Sequence, residues 1–255
     1  MTDKPHKIDI QNNLSIHYYE SVSSTMDIAR KMSQSNCPDH TVVIAKKQHC
    51  GRGRMQRQWQ SDQGGLYMTW IIRPQLKPDQ CFAYTFSAAL AVVLTLDQLF
   101  KITAHVKWPN DVLIKSQKIA GILTETQFES NRFNYLNIGI GININNQIKT
   151  DSFEAISIVD MVQTEVDLNM FTQALCKNLK KHFSNIDANN ILKLWKMHNC
   201  TLGNHVRIVL HDCAIEGMAV DVNQEGALII EKYNNQMETV TYGDCIIEKA
   251  RCELL

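Results

Sequence analysis

The 255-residue chain lacks an excess of charge of either sign: 26 Lys and Arg balance 26 Asp and Glu. A dedicated nucleic-acid binder carries a basic surplus, because neutralising phosphates supplies most of its affinity, so that class is disfavoured. Eight cysteines, at 37, 50, 81, 176, 200, 213, 245 and 252, include no Cys-x-x-Cys pair. In a chain of this size that argues for reduced thiols in the cytosol rather than zinc or a disulfide framework. No apolar stretch is read as approaching the length of a bilayer crossing. The start, Met1 to Lys7, has no apolar core behind a basic segment, so neither a signal peptide nor a membrane association is expected. A Gly-x-Ser-x-Gly elbow and an obvious Cys–His pair are also missing, so a covalent nucleophile is not indicated. What remains is an ordinary globular composition, 44% apolar and 20% charged. It is enough for one large domain or a large and a small one.

The densest chemistry lies in Gln48-His49-Cys50-Gly51-Arg52-Gly53-Arg54-Met55-Gln56-Arg57-Gln58-Trp59. Its glycines allow close backbone approach to a ligand. Each arginine offers a planar fork that matches phosphate or carboxylate oxygens in pairs. The β-branched run Thr41–Ala45 ahead of it reads as a buried strand. An anion held above a strand end by an Arg-Gly loop is the simplest reading. Sequence-independent nucleic-acid binding and a merely solvated loop are the competing ones. Cys50 reads as a small residue.

Elsewhere, Leu14–Tyr19 reads as a strand. Ser24 followed by Asp27 has the capping-box form, so a helix starts there; the Ser24 hydroxyl serves the helix end, a ligand, or both. Leu66–Ile72 is expected to be a strand and residues 84–100 an apolar helix. In Val106-Lys107-Trp108-Pro109-Asn110-Asp111, Trp108 is extended ahead of proline and Pro-Asn-Asp favours a turn. Residues 115–118 read as a hairpin tip leading into Ile119–Glu125, where Gly121 marks a close backbone approach. In 135–145, Gly139, Gly141, Asn143 and Asn145 alternate with β-branched residues and share one face. Such a bare, amide-lined face accommodates something flat, or marks a bend. Helices are expected at 168–184 and 188–198. From Gly203 the pattern changes to short alternating strands, a small β-barrel or sandwich.

Taken together, Gly51-Arg52-Gly53-Arg54 with Arg57 and Trp59, Lys107-Trp108-Pro109-Asn110-Asp111, Lys118-Ile119-Ala120-Gly121, Gly139-Ile140-Gly141-Ile142-Asn143 and Ser24-Thr25 resemble biotin protein ligases along nearly the whole chain. The resemblance implies an α+β fold. A mixed β-sheet with helices, similar to class II aminoacyl-tRNA synthetase catalytic domains, would span residues 1–200, and a small SH3-like β-barrel residues 201–255. It implies synthesis of biotinyl-5′-AMP and pyrophosphate from biotin and ATP with Mg²⁺, then transfer to one lysine of a biotin carboxyl carrier domain.

Carried over by motif, Ser24, Thr25 and Gln48 would meet the ureido ring, with Gly51, Gly121 and Gly139 along biotin. Arg52 and Arg54 would close over the acyl phosphate, Lys118 would stand at the carboxylate and α-phosphate, and these three would be the catalytic cations. Arg54, Arg57, Trp59, Asn110, Lys118 and Asn143 would serve ATP. Asp111 would be the one protein carboxylate on a metal held mainly by phosphates.

Met26 and Gln56 depart from the family pattern, where Asn and Gly are common, and the segment just after Asn145 has no tryptophan to cover adenine. Many relatives carry an N-terminal helix-turn-helix domain and act as repressors. This chain begins almost at the catalytic domain, so a cytoplasmic ligase without DNA binding is expected, with a homodimer left open. A lipoate-ligase-like acyl transferase and a non-catalytic biotinyl-AMP-binding regulator are the alternatives.

Overall fold

The computed structural model describes residues 4–11, 14–129, 132–148 and 154–248. Cys252 lies outside them. In chain order the catalytic-side strands are β1 (Lys7–Gln11), β2 (Leu14–Tyr19), β3 (Thr41–Ala45), β4 (Leu66–Ile72), β5 (His105–Lys107), β6 (Asp111–Ile114), β7 (Gln117–Glu129) and β8 (Arg132–Ile142). The helices are α1 (Thr25–Gln34), α2 (Phe82–Phe100), α3 (Ile158–Val162), α4 (Leu168–Ser184) and α5 (Ala188–His198). The second sheet holds β9 (His205–Val209), β10 (Ala214–Val222), β11 (Leu228–Glu231), β12 (Met237–Val240) and β13 (Asp244–Ile247).

The first sheet has eight strands in the order β1-β2-β3-β4-β8-β7-β6-β5. Only β2–β3 is a parallel pair, joined by the crossover helix α1, which makes the expected mixed sheet. Strand alternation divides its two faces. Val42, Ile44, Met68, Trp70, Ile138, Ile140 and Ile142 enter the main core with α2, α4 and α5. Val43, Ala45 and Ile71 instead pack with Ile28 and Ala29 of α1. Gly139 and Gly141 face the α1 side, and there the sheet is left bare.

Two expectations change. The segment Pro78–Phe100 is, by length and apolar composition, a helix that could cross a bilayer, contrary to the reading that none comes close. An all-round apolar helix is equally what a core requires. Here α2 buries twelve of its residues and packs against α4 and α5. The expected barrel is a five-stranded antiparallel sheet, β12-β11-β10-β9-β13. Among the described residues its outer strands β12 and β13 do not pair, so it does not close.

This second sheet is not a loose appendage. Trp108 Nε1 donates to Gly226 O at 3.0 Å, and Trp108 N to Thr201 Oγ1 at 2.9 Å. Val206, Ile208, Leu228 and Ile230 belong to the same core cluster as α2.

Candidate active site

Ser24 caps α1, its Oγ accepting from Met26 N at 3.3 Å. A hydroxyl that accepts in this way still holds a proton to donate, so capping and ligand contact are compatible. Asp27 does not complete the box; its carboxylate lies 3.4 Å from Arg30 and 3.6 Å from Arg52. Thr25 donates through N (2.8 Å) and Oγ1 (3.1 Å) to Gln48 Oε1, and receives Thr69 Oγ1 at 2.9 Å. Gln48 Nε2 in turn donates to Ser61 Oγ at 2.8 Å. Helix, loop and sheet are thereby locked together at one end of the bare face.

The Arg-Gly loop is a small hairpin. Trp59 N donates to Gly51 O at 2.9 Å and Gly53 N to Arg57 O at 2.8 Å. A Cβ on Gly51 would lie 2.3 Å from Trp59 O and 2.4 Å from Ser61 Oγ, so only glycine lets the two limbs meet. At the tip Met55 and Gln56 take φ of 51° and 60°. Gln56 thus sits in the left-handed region that glycine enters without cost.

The loop's side chains reach both sheets and α1. Arg52 pairs with Glu125 of β7 and approaches Asp27. Arg54 donates to Asn110 Oδ1 and to Gly243 O of the second sheet, each at 2.9 Å. Burial pushes its pKa down, opposed by Asp244 and Asp111. Arg57 pairs with Asp244 of β13. Trp59 lies over the cross-strand pair Gly121–Gly141, with Lys118 Nζ 5.2 Å from its ring centroid.

Lys118 owes its aim to a β-bulge. Val112 pairs with Ala120, but Leu113 pairs with Lys118, so Ile119 is the extra residue. In regular alternation 118 and 121 would point to opposite faces; the bulge reverses that parity. A Cβ on Gly121 would be 3.4 Å from Lys118 Nζ. Lys118 Nζ also lies 2.6 Å from Asp111 Oδ1. Asn110 is pinned to β7, donating through Nδ2 to Ile122 O at 2.6 Å and accepting on its own carbonyl from Ile122 N at 2.9 Å.

These groups surround one cleft of about 770 Å³. Of the residues predicted from sequence, Ser24, Thr25, Gln48, Arg52, Arg54, Arg57, Trp59, Asn110, Asp111, Lys118, Gly121 and Gly139 line it. Gly51 and Asn143 do not. Gly51 is buried between loop limbs. Asn143, 5% exposed, lies beyond the end of β8, accepts on Oδ1 from Asn146 Nδ2 at 3.2 Å and donates through Nδ2 to Lys118 O at 3.5 Å.

Sequence reading missed Asp27, Arg30, Glu125 and Asp244. Strand alternation from Gly121 could have found Glu125; no local signal marks Asp244. Met26 is buried, its Sδ 2.7 Å from where a Cβ on Gly139 would stand, and it shapes the cleft floor. Among the described residues, no group of three His, Cys, Asp or Glu side chains could hold a metal ion.

The arrangement can neutralise a polyanion, hold a flat group against glycine backbone, and cover both with a loop. Residues 18–143 match the Biotin/lipoate A/B protein ligase family, and residues 201–247 the Biotin protein ligase C terminal domain. The Bifunctional ligase/repressor BirA of Bacillus subtilis (strain 168) is 33% identical over 84% of this chain and 68% of its own length. A Biotin--[acetyl-CoA-carboxylase] ligase of Mycobacterium tuberculosis is 26% identical over 88% of this chain and 85% of its own. In structure, the biotin protein ligase of Aquifex aeolicus in complex with biotin and ATP superposes with a TM-score of 0.75 at 24% identity, over 92% of this chain and 99% of that one.

Proposed function

Because the chain belongs to the biotin protein ligases, within the biotin/lipoate A/B protein ligase family, we propose that it activates biotin with ATP and passes the biotinyl group to a carrier-protein lysine. Residues 1–200 would do the chemistry and 201–255 would hold the loop through Gly243 and Asp244. The observation that carries this reading is the gathering of Arg52, Arg54, Arg57 and Lys118 on one glycine-floored cleft.

In the first step a biotin carboxylate oxygen attacks the α-phosphorus of ATP, and the bond to pyrophosphate breaks. Two anions must be brought together while charge grows on the phosphorus oxygens, so fixed cations in a covered site lower the barrier. Lys118 is aimed over the Gly121–Gly141 floor and exchanges Asp111 for the reacting anions. Arg52 and Arg54 hold the acyl end, and Arg57 takes the outer phosphates in place of Asp244. Ser24, Thr25 and Gln48 orient the ring, and Trp59 walls the nucleotide side. In the second step the carrier lysine, as a neutral amine, attacks the acyl carbon; an amide forms and AMP leaves. Until then the covering loop keeps water from the mixed anhydride. With Asp111 the carboxylate beside Lys118, the donor set suits Mg²⁺ held chiefly by phosphate oxygens; Asp111 would hold the ion, which would supply further charge neutralisation. A cytoplasmic setting, where ATP is at hand, belongs to this reading.

Incubating the full chain with a biotin carboxyl carrier domain, biotin and Mg-ATP should add one biotinyl group to the carrier, read by mass. Parallel arms with lipoate, and with ATP omitted, should stay blank. Modification with lipoate alone, or adenylate formed but never transferred, would overturn the assignment.

A further inference from the structure

We propose that Glu125 is the positioning residue for Arg52, setting where the loop's first arginine stands and hence how long the cleft retains an acyl-adenylate. The inference rests on the ligase reading. The hairpin bonds Gly51–Trp59 and Gly53–Arg57 give the loop its shape but not its place on the sheet. Arg52, between two glycines, has no adjacent side chains to wedge it, so its guanidinium must find the anchor. That anchor is a four-charge group. Glu125 divides its oxygens, Oε1 to Arg52 and Oε2 to Arg30 at 3.0 Å, while Asp27 approaches both arginines.

The four charges cancel, and each side chain is only about a third exposed (31–39%). Without Glu125, two guanidiniums would crowd one carboxylate, and Arg52 would lose its charge-assisted bond. Glu125 lies on β7, two alternations beyond Gly121 on the same face. The strand that presents Lys118 therefore also registers Arg52, so both cations are referred to one rigid element. Glu125 is not among the cleft-lining residues and reaches the cleft through Arg52.

Glu125→Gln keeps the volume and removes the charge. Two measurements on the full-length protein test the proposal. Amide exchange of residues 50–58 should quicken about tenfold, the worth of one charge-assisted hydrogen bond. Dissociation of preformed biotinyl-adenylate should quicken by a similar factor, and KM for biotin should rise. In a cycle with Arg52→Ala, adding Glu125→Gln should cost nothing more. Unchanged loop exchange, or additive effects in the cycle, would overturn the inference even with the ligase reading intact. A wild-type protein that makes no adenylate would instead sink the ligase reading, and with it the adenylate half of the inference; loop exchange would still decide whether Glu125 anchors Arg52.

Discussion

The ring of Trp59 occupies the space that a side chain on Gly141 would need: a Cβ there would lie 2.6 Å from both Cε2 and Nε1. The opposing residue Gly121 is nearly as close, 2.9 Å from Cζ3, and the two glycines face each other across β7 and β8. Two bare backbones in register make a flat patch on which an indole can lie, and Lys118 closes over it.

Gly141→Ala should therefore lift Trp59 from the floor without straining the strand. We expect a shifted tryptophan emission and adenylation slowed about tenfold or more, as for misplaced positioning groups. Wild-type emission and rate together would mean the indole has room to move aside.

Lys118→Ala should lower pyrophosphate release about a hundred- to a thousand-fold, the scale of removing a transition-state charge partner. It also strands Asp111, whose partner sits at 2.6 Å, so thermal stability should fall. Adding Asp111→Asn should restore stability but not activity. Recovery of both would show that Lys118 is structural only.

Arg54 bonds Asn110 and Gly243 with separate nitrogens, and a lysine cannot span both. Arg54→Lys should keep the charge yet loosen the contact between the loop and the second sheet, releasing the adenylate about tenfold faster. A release rate equal to wild type would remove Gly243 from the account.

His17 and His182 are held below their ordinary value by burial, so both bind protons more readily in the unfolded chain than in the fold. Their contribution is present above the unfolded value and is lost as pH falls through the folded ones. Urea midpoints should drop as pH falls below the ordinary histidine value of about 6.5, and His182→Asn should shrink that drop. An equal drop in the variant would place the effect elsewhere.

Cys50 and Cys213 are exposed, whereas burial pushes the Cys176 and Cys245 thiols up to about 12. A thiol reagent at neutral pH should label the first pair promptly and the second only after unfolding. Prompt labelling of Cys245 would mean that the second sheet opens from the core.

The residue chemistry was legible in the linear chain. Three arginines among glycines, a lysine ahead of a glycine-marked strand and the Gly139–Gly141 alternation follow from local composition and from the two-residue period of a strand. What the period could not foretell was the parity of Lys118 relative to Gly121, because a bulge at Ile119 exists only once β6 has paired with β7. Nor could it join Arg57 to Asp244, or Arg52 to Glu125. Local preferences decide which face a side chain takes within its own element, but which charges meet depends on long-range pairings that no short window of sequence contains.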